Sequence, residues 1–144
     1  DRSLEKKVQE EKVSCAKELK GLRVLVVEDN DINMEINEFY LTDLGAEIEK
    51  AWNGKEAVEK FAQSEPGTYD VILMDLMMPV MNGLDATKKI RAMERPDAEE
   101  IPILAMTAQT SETSEAEGRT AGMNGYIRKP VNEQTLLEAI LGKI

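Results

Sequence analysis

Residues 71–75 read Val71-Ile72-Leu73-Met74-Asp75, four hydrophobic side chains running straight into a carboxylate. A short, unbroken apolar run of this kind suits a strand covered on both faces, as in a parallel sheet. Asp75 then stands at the C-terminal end of the strand, where open α/β sheets gather their ligands. An earlier run, Val24-Leu25-Val26-Val27, ends the same way in Glu28-Asp29. Carboxylates converging at adjacent strand ends repel one another unless a cation lies among them. Thr107 and Lys129, each just beyond a later apolar run, complete a set suited to holding a metal ion and handling an anion on a carboxylate.

Outward from this stretch the pattern alternates strand and helix five times. A first strand is expected at about 22–27, and a first helix at about 31–44 with Ile32, Ile36, Phe39, Tyr40 and Leu44 on its inner face. Gly45 ends that helix. Strand 2, about 46–51, alternates charged and apolar residues, and Asn53-Gly54 opens a helix whose inner face is Ala57, Val58, Phe61 and Ala62. Past Asp75 a loop leads to helix 3 at about 84–94, then to strand 4 from Ile101 to Met106. Helix 4, about 111–121, offers mainly Ala116 and Ala121 to a core. Strand 5 lies near Gly125-Tyr126-Ile127, and the last helix aligns Leu136, Leu137, Ile140, Leu141 and Ile144.

Strands 1, 3 and 4 are continuously apolar, whereas strand 2 carries Glu47, Glu49 and Lys50, charges that protect a sheet edge. Right-handed crossovers then favour a doubly wound α/β fold, a five-stranded parallel sheet in the order 2-1-3-4-5 with helices on both faces (flavodoxin-like). The switch point falls between strands 1 and 3, where Glu28, Asp29 and Asp75 emerge.

Composition narrows the chemistry. With 28 acidic and 18 basic residues in 144, the net charge of −10 argues against binding nucleic acid or an anionic membrane. No apolar stretch approaches the roughly 20 residues of a membrane span, and residues 1–21 lack a signal-peptide core, so a cytoplasmic location is expected. Lone Cys15 forms no internal disulfide. The chain has no histidine, which excludes a Ser-His-Asp triad, a histidine zinc site and any phosphohistidine of its own. Residues 1–21 are charged, with Leu4, Val8, Val13, Cys15 and Leu19 irregularly spaced; they read as a linker or tail helix ahead of a single domain at 22–144.

Asp29 and Asp75, with Glu28 beside them, suit Mg²⁺ (or Mn²⁺), which takes oxygen ligands and keeps several waters. The backbone carbonyl of Met77, two residues past Asp75, is placed to turn back toward such an ion. An aspartate can attack a phosphoryl group to form an acyl phosphate, a transfer that needs positioning and charge neutralisation more than proton chemistry. Lys129 would neutralise the phosphoryl oxygens opposite the ion, and the Thr107 hydroxyl would donate to a third oxygen. The cluster Met74, Met77, Met78 and Met81 reads as packing, not ligation.

With these positions placed, residues 22–144 resemble a receiver domain of the two-component response-regulator family. The resemblance rests on Val24-Leu25-Val26-Val27-Glu28-Asp29-Asn30, Asp70 through Pro79, Asn82-Gly83, Met106-Thr107-Ala108 and Gly125-Tyr126-Ile127-Arg128-Lys129-Pro130, in the family's order and spacing. It implies Asp75 as phosphoacceptor, Glu28 and Asp29 as the acidic metal pocket with the Met77 carbonyl, and Thr107 and Lys129 on the phosphoryl group. It further implies a switch pair, Thr107 and Tyr126, and a cis Lys129-Pro130 bond. The partner implied is a histidine kinase or histidine phosphotransfer domain, with a weak homodimer through helix 4, strand 5 and helix 5 as a further possibility. Details around Asn33 and Ala86-Thr87 look most like receivers of hybrid sensor histidine kinases, so a receiver within a longer kinase is expected, with no enzymatic turnover beyond its own phosphoryl chemistry. Glu28 stands where many members carry Asp, and Gly125 where an acidic residue is frequent.

Phosphorylation would draw Thr107 inward and let Tyr126 rotate from solvent into the vacated gap, reshaping the face of helix 4, strand 5 and helix 5. Two rivals fit less well. A flavin carrier would need a Ser/Thr/Gly-rich phosphate loop after strand 1, where this chain has Glu28-Asp29-Asn30-Asp31. An aspartate-nucleophile phosphatase would carry a second Asp where Met77 stands.

Overall fold

The computed structural model describes residues 19–76, 78, 80–108 and 112–143. Among these residues five strands alternate with five helices: β1 (Arg23–Val27), α1 (Asp31–Asp43), β2 (Glu47–Ala51), α2 (Gly54–Gln63), β3 (Val71–Asp75), α3 (Gly83–Arg91), β4 (Ile103–Thr107), α4 (Glu112–Ala121), β5 (Gly125–Arg128) and α5 (Glu133–Leu141). All four strand pairings are parallel and the order is β2-β1-β3-β4-β5, as the strand composition indicated.

Side chains alternate across the sheet and divide the core in two. Val24, Val26, Leu73, Leu104 and Met106 pack with Met34, Leu41 and Leu44 of α1 and its surroundings and Leu136, Leu137 and Ile140 of α5. Leu25, Val27, Ile72, Met74, Ile103 and Ala105 pack on the opposite side with Ala57 and Phe61 of α2 and Ala86 and Ile90 of α3. Four helices start on an asparagine cap: Asn30, Asn53, Asn82 and Asn132 accept from the backbone N–H three residues on. These caps fix the strand-to-helix turns at the crevice end of the sheet. The charged edge strand is guarded as expected, with Glu47 paired to Arg23, Glu49 to Lys60 and Lys50 to Glu38. Such exposed pairs add little stability; their role is to leave the edge unattractive to another strand.

Several expectations are corrected. The inner face of α1 is Met34, Asn37 and Leu41, followed by Leu44, whereas Ile32, Ile36 and Phe39 face solvent and Tyr40 is half-buried. The helix carries apolar residues on two stripes, so periodicity alone chose the wrong one; the Asn30 cap and the turn at Gly45 (φ 92°) set its rotation. Ala62 of α2 and Ala116 of α4 are exposed, and Leu141 is more open than a core residue. Strand β4 begins at Ile103 and takes in Thr107, and α3 stops at Arg91, three residues early. Leu19 is fully buried and its N–H donates to Leu44 O at 3.0 Å, so packing begins three residues before the expected boundary at 22. The rest of the expected N-terminal helix, at 1–18, lies outside the described residues, as do Met77, Pro79 and Ile144. No helix among the described residues is long and apolar enough to cross a membrane.

Candidate functional site

The C-terminal ends of β1 and β3 lie side by side, with Val27 in register with Met74, so the residues that follow them meet. One carboxylate oxygen each from Glu28, Asp29 and Asp75 lies within 4.8 Å of the others. Glu28 is 1% exposed and Asp75 4%, while Asp29 is open to solvent. Lys129 reaches in from beyond β5, its Nζ donating to Glu28 Oε2 at 2.8 Å and lying 3.2 Å from Asp75 Oδ2. The other Glu28 oxygen accepts the Asn30 backbone N–H at 3.2 Å. Glu28 is thus tied on both sides, a partner set that its sequence context did not reveal.

Burial drives the Asp75 pKa up from 3.8 to about 7, the Glu28 charge adds to the rise, and Lys129 opposes it. Burial alone would lower the Lys129 ammonium pKa; its hydrogen bond to Glu28 and the nearby charge of Asp75 outweigh that and raise it. One ammonium among three carboxylates leaves the cluster short of positive charge. The donor set, all oxygen and partly open to solvent, fits a hard divalent cation such as Mg²⁺.

Thr107 ends β4, one residue past the Asp75–Met106 register pair, and is buried. Its carbonyl accepts the Lys129 N–H at 2.8 Å, which ties the hydroxyl-bearing residue to the lysine through the backbone. The Lys129-Pro130 peptide is cis. Five of the residues singled out from sequence, Glu28, Asp29, Asp75, Thr107 and Lys129, therefore stand at one end of the sheet. Met77, also singled out, lies outside the described residues.

Tyr126 does not start from solvent. It is half-buried against the α2–α3 side of the core. A Cβ placed on Gly118 of α4 would meet its hydroxyl at 1.9 Å, so the absence of a side chain at 118 makes the socket in which the phenol rests. Gly83, at the start of α3, matters in the same way: a Cβ there would lie 2.4 Å from the Asp75 carbonyl oxygen. Between Asp75 and Gly83, Val80 holds φ 69° with its side chain exposed, an unfavourable conformation for a β-branched residue and a mark of local strain beside the site.

Known proteins match this arrangement. The profile of the response regulator receiver domain matches residues 24–141. The chain is 38% identical over 120 residues to a hybrid signal transduction histidine kinase of Dictyostelium discoideum, covering 82% of this chain and 7% of that protein. It is 39% identical over 123 residues to two-component response regulator 24 of Arabidopsis thaliana, covering 85% of this chain and 84% of that one. The chain spans only 7 to 17% of the length of the first four histidine kinases it matches. Among solved structures, the receiver domain of a Pseudomonas aeruginosa sensor histidine kinase, with magnesium coordinated in its active-site cleft, has TM-score 0.77 and 34% identity, covering 85% of this chain and 97% of that one. The receiver domain of Saccharomyces cerevisiae Ssk1, co-crystallised with the histidine phosphotransfer protein Ypd1, has TM-score 0.75 and 31% identity, covering 87% and 90%.

Proposed function

Because the chain belongs to the response regulator receiver family, we propose that Asp75 is its phosphoacceptor in a two-component phosphorelay. One Asp75 carboxylate oxygen attacks the phosphorus of a phosphohistidine on a partner protein. The P–N bond breaks, its electron pair stays with the imidazole, and an acyl phosphate forms on Asp75. The chain has no histidine, so the donor belongs to a histidine kinase or histidine phosphotransfer domain outside these residues.

The observation that carries this reading is the Lys129 ammonium held 2.8 Å from Glu28 and 3.2 Å from Asp75 within a carboxylate cluster. It stands ready to take up phosphoryl oxygens once they arrive, trading carboxylate partners for phosphate at little reorganisation. Glu28, Asp29 and Asp75, with the Met77 carbonyl, would hold Mg²⁺ or Mn²⁺, which supplies charge neutralisation for the phosphoryl oxygens. Thr107 donates its hydroxyl to the phosphoryl group, and movement at Thr107 and Tyr126 carries the change to the face of α4, β5 and α5. Residues 22–144 form the receiver unit, here read as part of a longer hybrid kinase.

Incubation with acetyl phosphate and Mg²⁺ followed by intact-mass measurement tests the reading. One added phosphoryl group is expected in the wild-type chain, and none in Asp75→Asn or after chelation with EDTA. Unchanged labelling of Asp75→Asn would defeat it.

A further inference from the structure

Asn37 sits on the inner side of α1 between the core residues Met34 and Leu41, and is 1% exposed. Its Oδ1 has no hydrogen-bond partner among the described residues, an arrangement that buried amides rarely tolerate. Its inward neighbours on the helix are aliphatic or thioether side chains, so packing gives no reason for an amide between them. The residue lines a pocket of about 50 Å³ shared with the site residues Glu28 and Lys129. Ile36, Met106 and Val131 give this pocket apolar walls, which strengthen a hydrogen bond made inside it.

Lys129 brings the complementary need to the same space. An ammonium carries three N–H donors. Lys129 donates to Glu28 Oε2 at 2.8 Å and lies 3.2 Å from Asp75 Oδ2, and among the described residues no third acceptor meets it. An acceptor lacking a donor and an ammonium with a donor to spare therefore line one small pocket. A single water satisfies both. Its oxygen accepts from Lys129, and its two hydrogens go to Asn37 Oδ1 and to the Glu28 carboxylate. Three polar partners are what a buried water ordinarily has, and the pocket exceeds the roughly 10–15 Å³ that one water needs.

Such a bridge matters once a phosphoryl group arrives. Asp75 is then no longer a free carboxylate and a cation claims part of the acidic cluster, so the flexible lysine stem loses partners that had fixed its head. Resting on the phosphoacceptor reading above, we infer that Asn37 is a positioning residue: a water held in this pocket joins its Oδ1 to the Lys129 ammonium and keeps that ammonium on the phosphoryl oxygens. Asn37 touches neither the phosphoryl group nor the metal and acts through Lys129 alone. Its loss therefore weakens the hold on the anion and leaves the hold on the cation unchanged.

The test titrates the wild-type chain, Asn37→Leu and Asn37→Ser with Mg²⁺ alone, then with beryllofluoride at saturating Mg²⁺, followed by calorimetry. Leucine is close to asparagine in size but accepts no hydrogen bond; serine keeps an accepting hydroxyl and leaves room for the water. Asn37→Leu is expected to raise the beryllofluoride Kd about tenfold and to slow acetyl phosphate labelling of Asp75 about as much, with the Mg²⁺ Kd within about twofold of wild type. Asn37→Ser is expected to recover most of that loss. The melting temperature of Asn37→Leu is expected to hold or rise, since an unpaired amide leaves the interior, so weak anion binding will not reflect unfolding. Equal beryllofluoride Kd values in wild type and Asn37→Leu overturn the inference. So does a loss shared equally by Mg²⁺ and beryllofluoride, or a serine variant no better than leucine, since either makes Asn37 a packing residue only. A wild-type chain that binds Mg²⁺ but neither binds beryllofluoride nor is labelled by acetyl phosphate would instead remove the phosphoacceptor reading itself.

Discussion

Helices α3 and α4 are neighbours on the sheet, and they are anchored very differently. α3 buries Gly83, Ala86, Thr87 and Ile90. Its first residue presses on the backbone of Asp75, and its last, Arg91, donates to the carbonyls of Gly122 and Ala98 and to Asn124 Oδ1. Among the described side chains of α4, by contrast, Gly118 and Ala121 alone are buried. Among the described residues it is held at its C-terminal end, where Gly122 (φ 109°) closes the helix and Arg91 grips the Gly122 carbonyl. The described part of α4, with few buried side chains, would move at less cost than α3, which frames the carboxylates.

The contrast can be broken most severely at Gly83. Gly83→Ala drives a methyl group into the Asp75 backbone and is expected to lose about 3 kcal/mol, the upper end of the usual cost of overpacking. Chemical denaturation measures it; a loss below about 1 kcal/mol would mean that α3 is not rigidly seated. Next is Arg91→Ala, which strips four hydrogen bonds joining α3 to the end of α4 and the β4 approach. About 2–3 kcal/mol is expected, together with faster amide exchange in α4 than in α3. Equal acceleration in both helices would erase the distinction.

A third probe concerns what the α3 frame restrains. The folded-state pKa of Asp75, about 7, lies above its ordinary 3.8. Its carboxyl therefore favours folding fully below pH 3.8, and that contribution disappears as pH rises through 7. In metal-free buffer at pH 8, Asp75→Asn is expected to be more stable than wild type by about 1–2 kcal/mol, a figure reduced for solvent screening. The gap should close toward pH 4, and a gap independent of pH would show that the repulsion is not stored in the folded state. The smallest effect is expected at Gly118. Alanine there gains about 1 kcal/mol of helix propensity, offset by collision with the Tyr126 hydroxyl. Net stability should move by less than about 1 kcal/mol while Tyr126 becomes more open to collisional quenchers. A full propensity gain with Tyr126 still shielded would show that α4 shifts freely to make room.

The strand ends were legible in the sequence because two unbroken apolar runs each terminate in acid, and parallel strands of equal length must bring those ends together. Edge and centre could be told apart by Glu47, Glu49 and Lys50, which is why the strand order was correct. The face of α1 was not legible: Ile32, Ile36 and Phe39 repeat as regularly as Met34 and Leu41, and only the three-dimensional placement of the Asn30 cap and Leu44 decides between them. Asn37 gave no signal, since an asparagine inside a helix reads as surface. The Tyr126 socket depends on an absent side chain at Gly118, eight residues earlier, a relation that no local pattern encodes.

The most direct measurement is ¹³C NMR of the Asp75 side-chain carboxyl, titrated with acid in the absence and presence of saturating Mg²⁺. Titration near pH 7 without the ion is expected, and a fall of several pH units with it, because a bound divalent cation favours the ionised carboxylate. A midpoint that ignores Mg²⁺ would contradict a cation-assisted phosphoacceptor at Asp75.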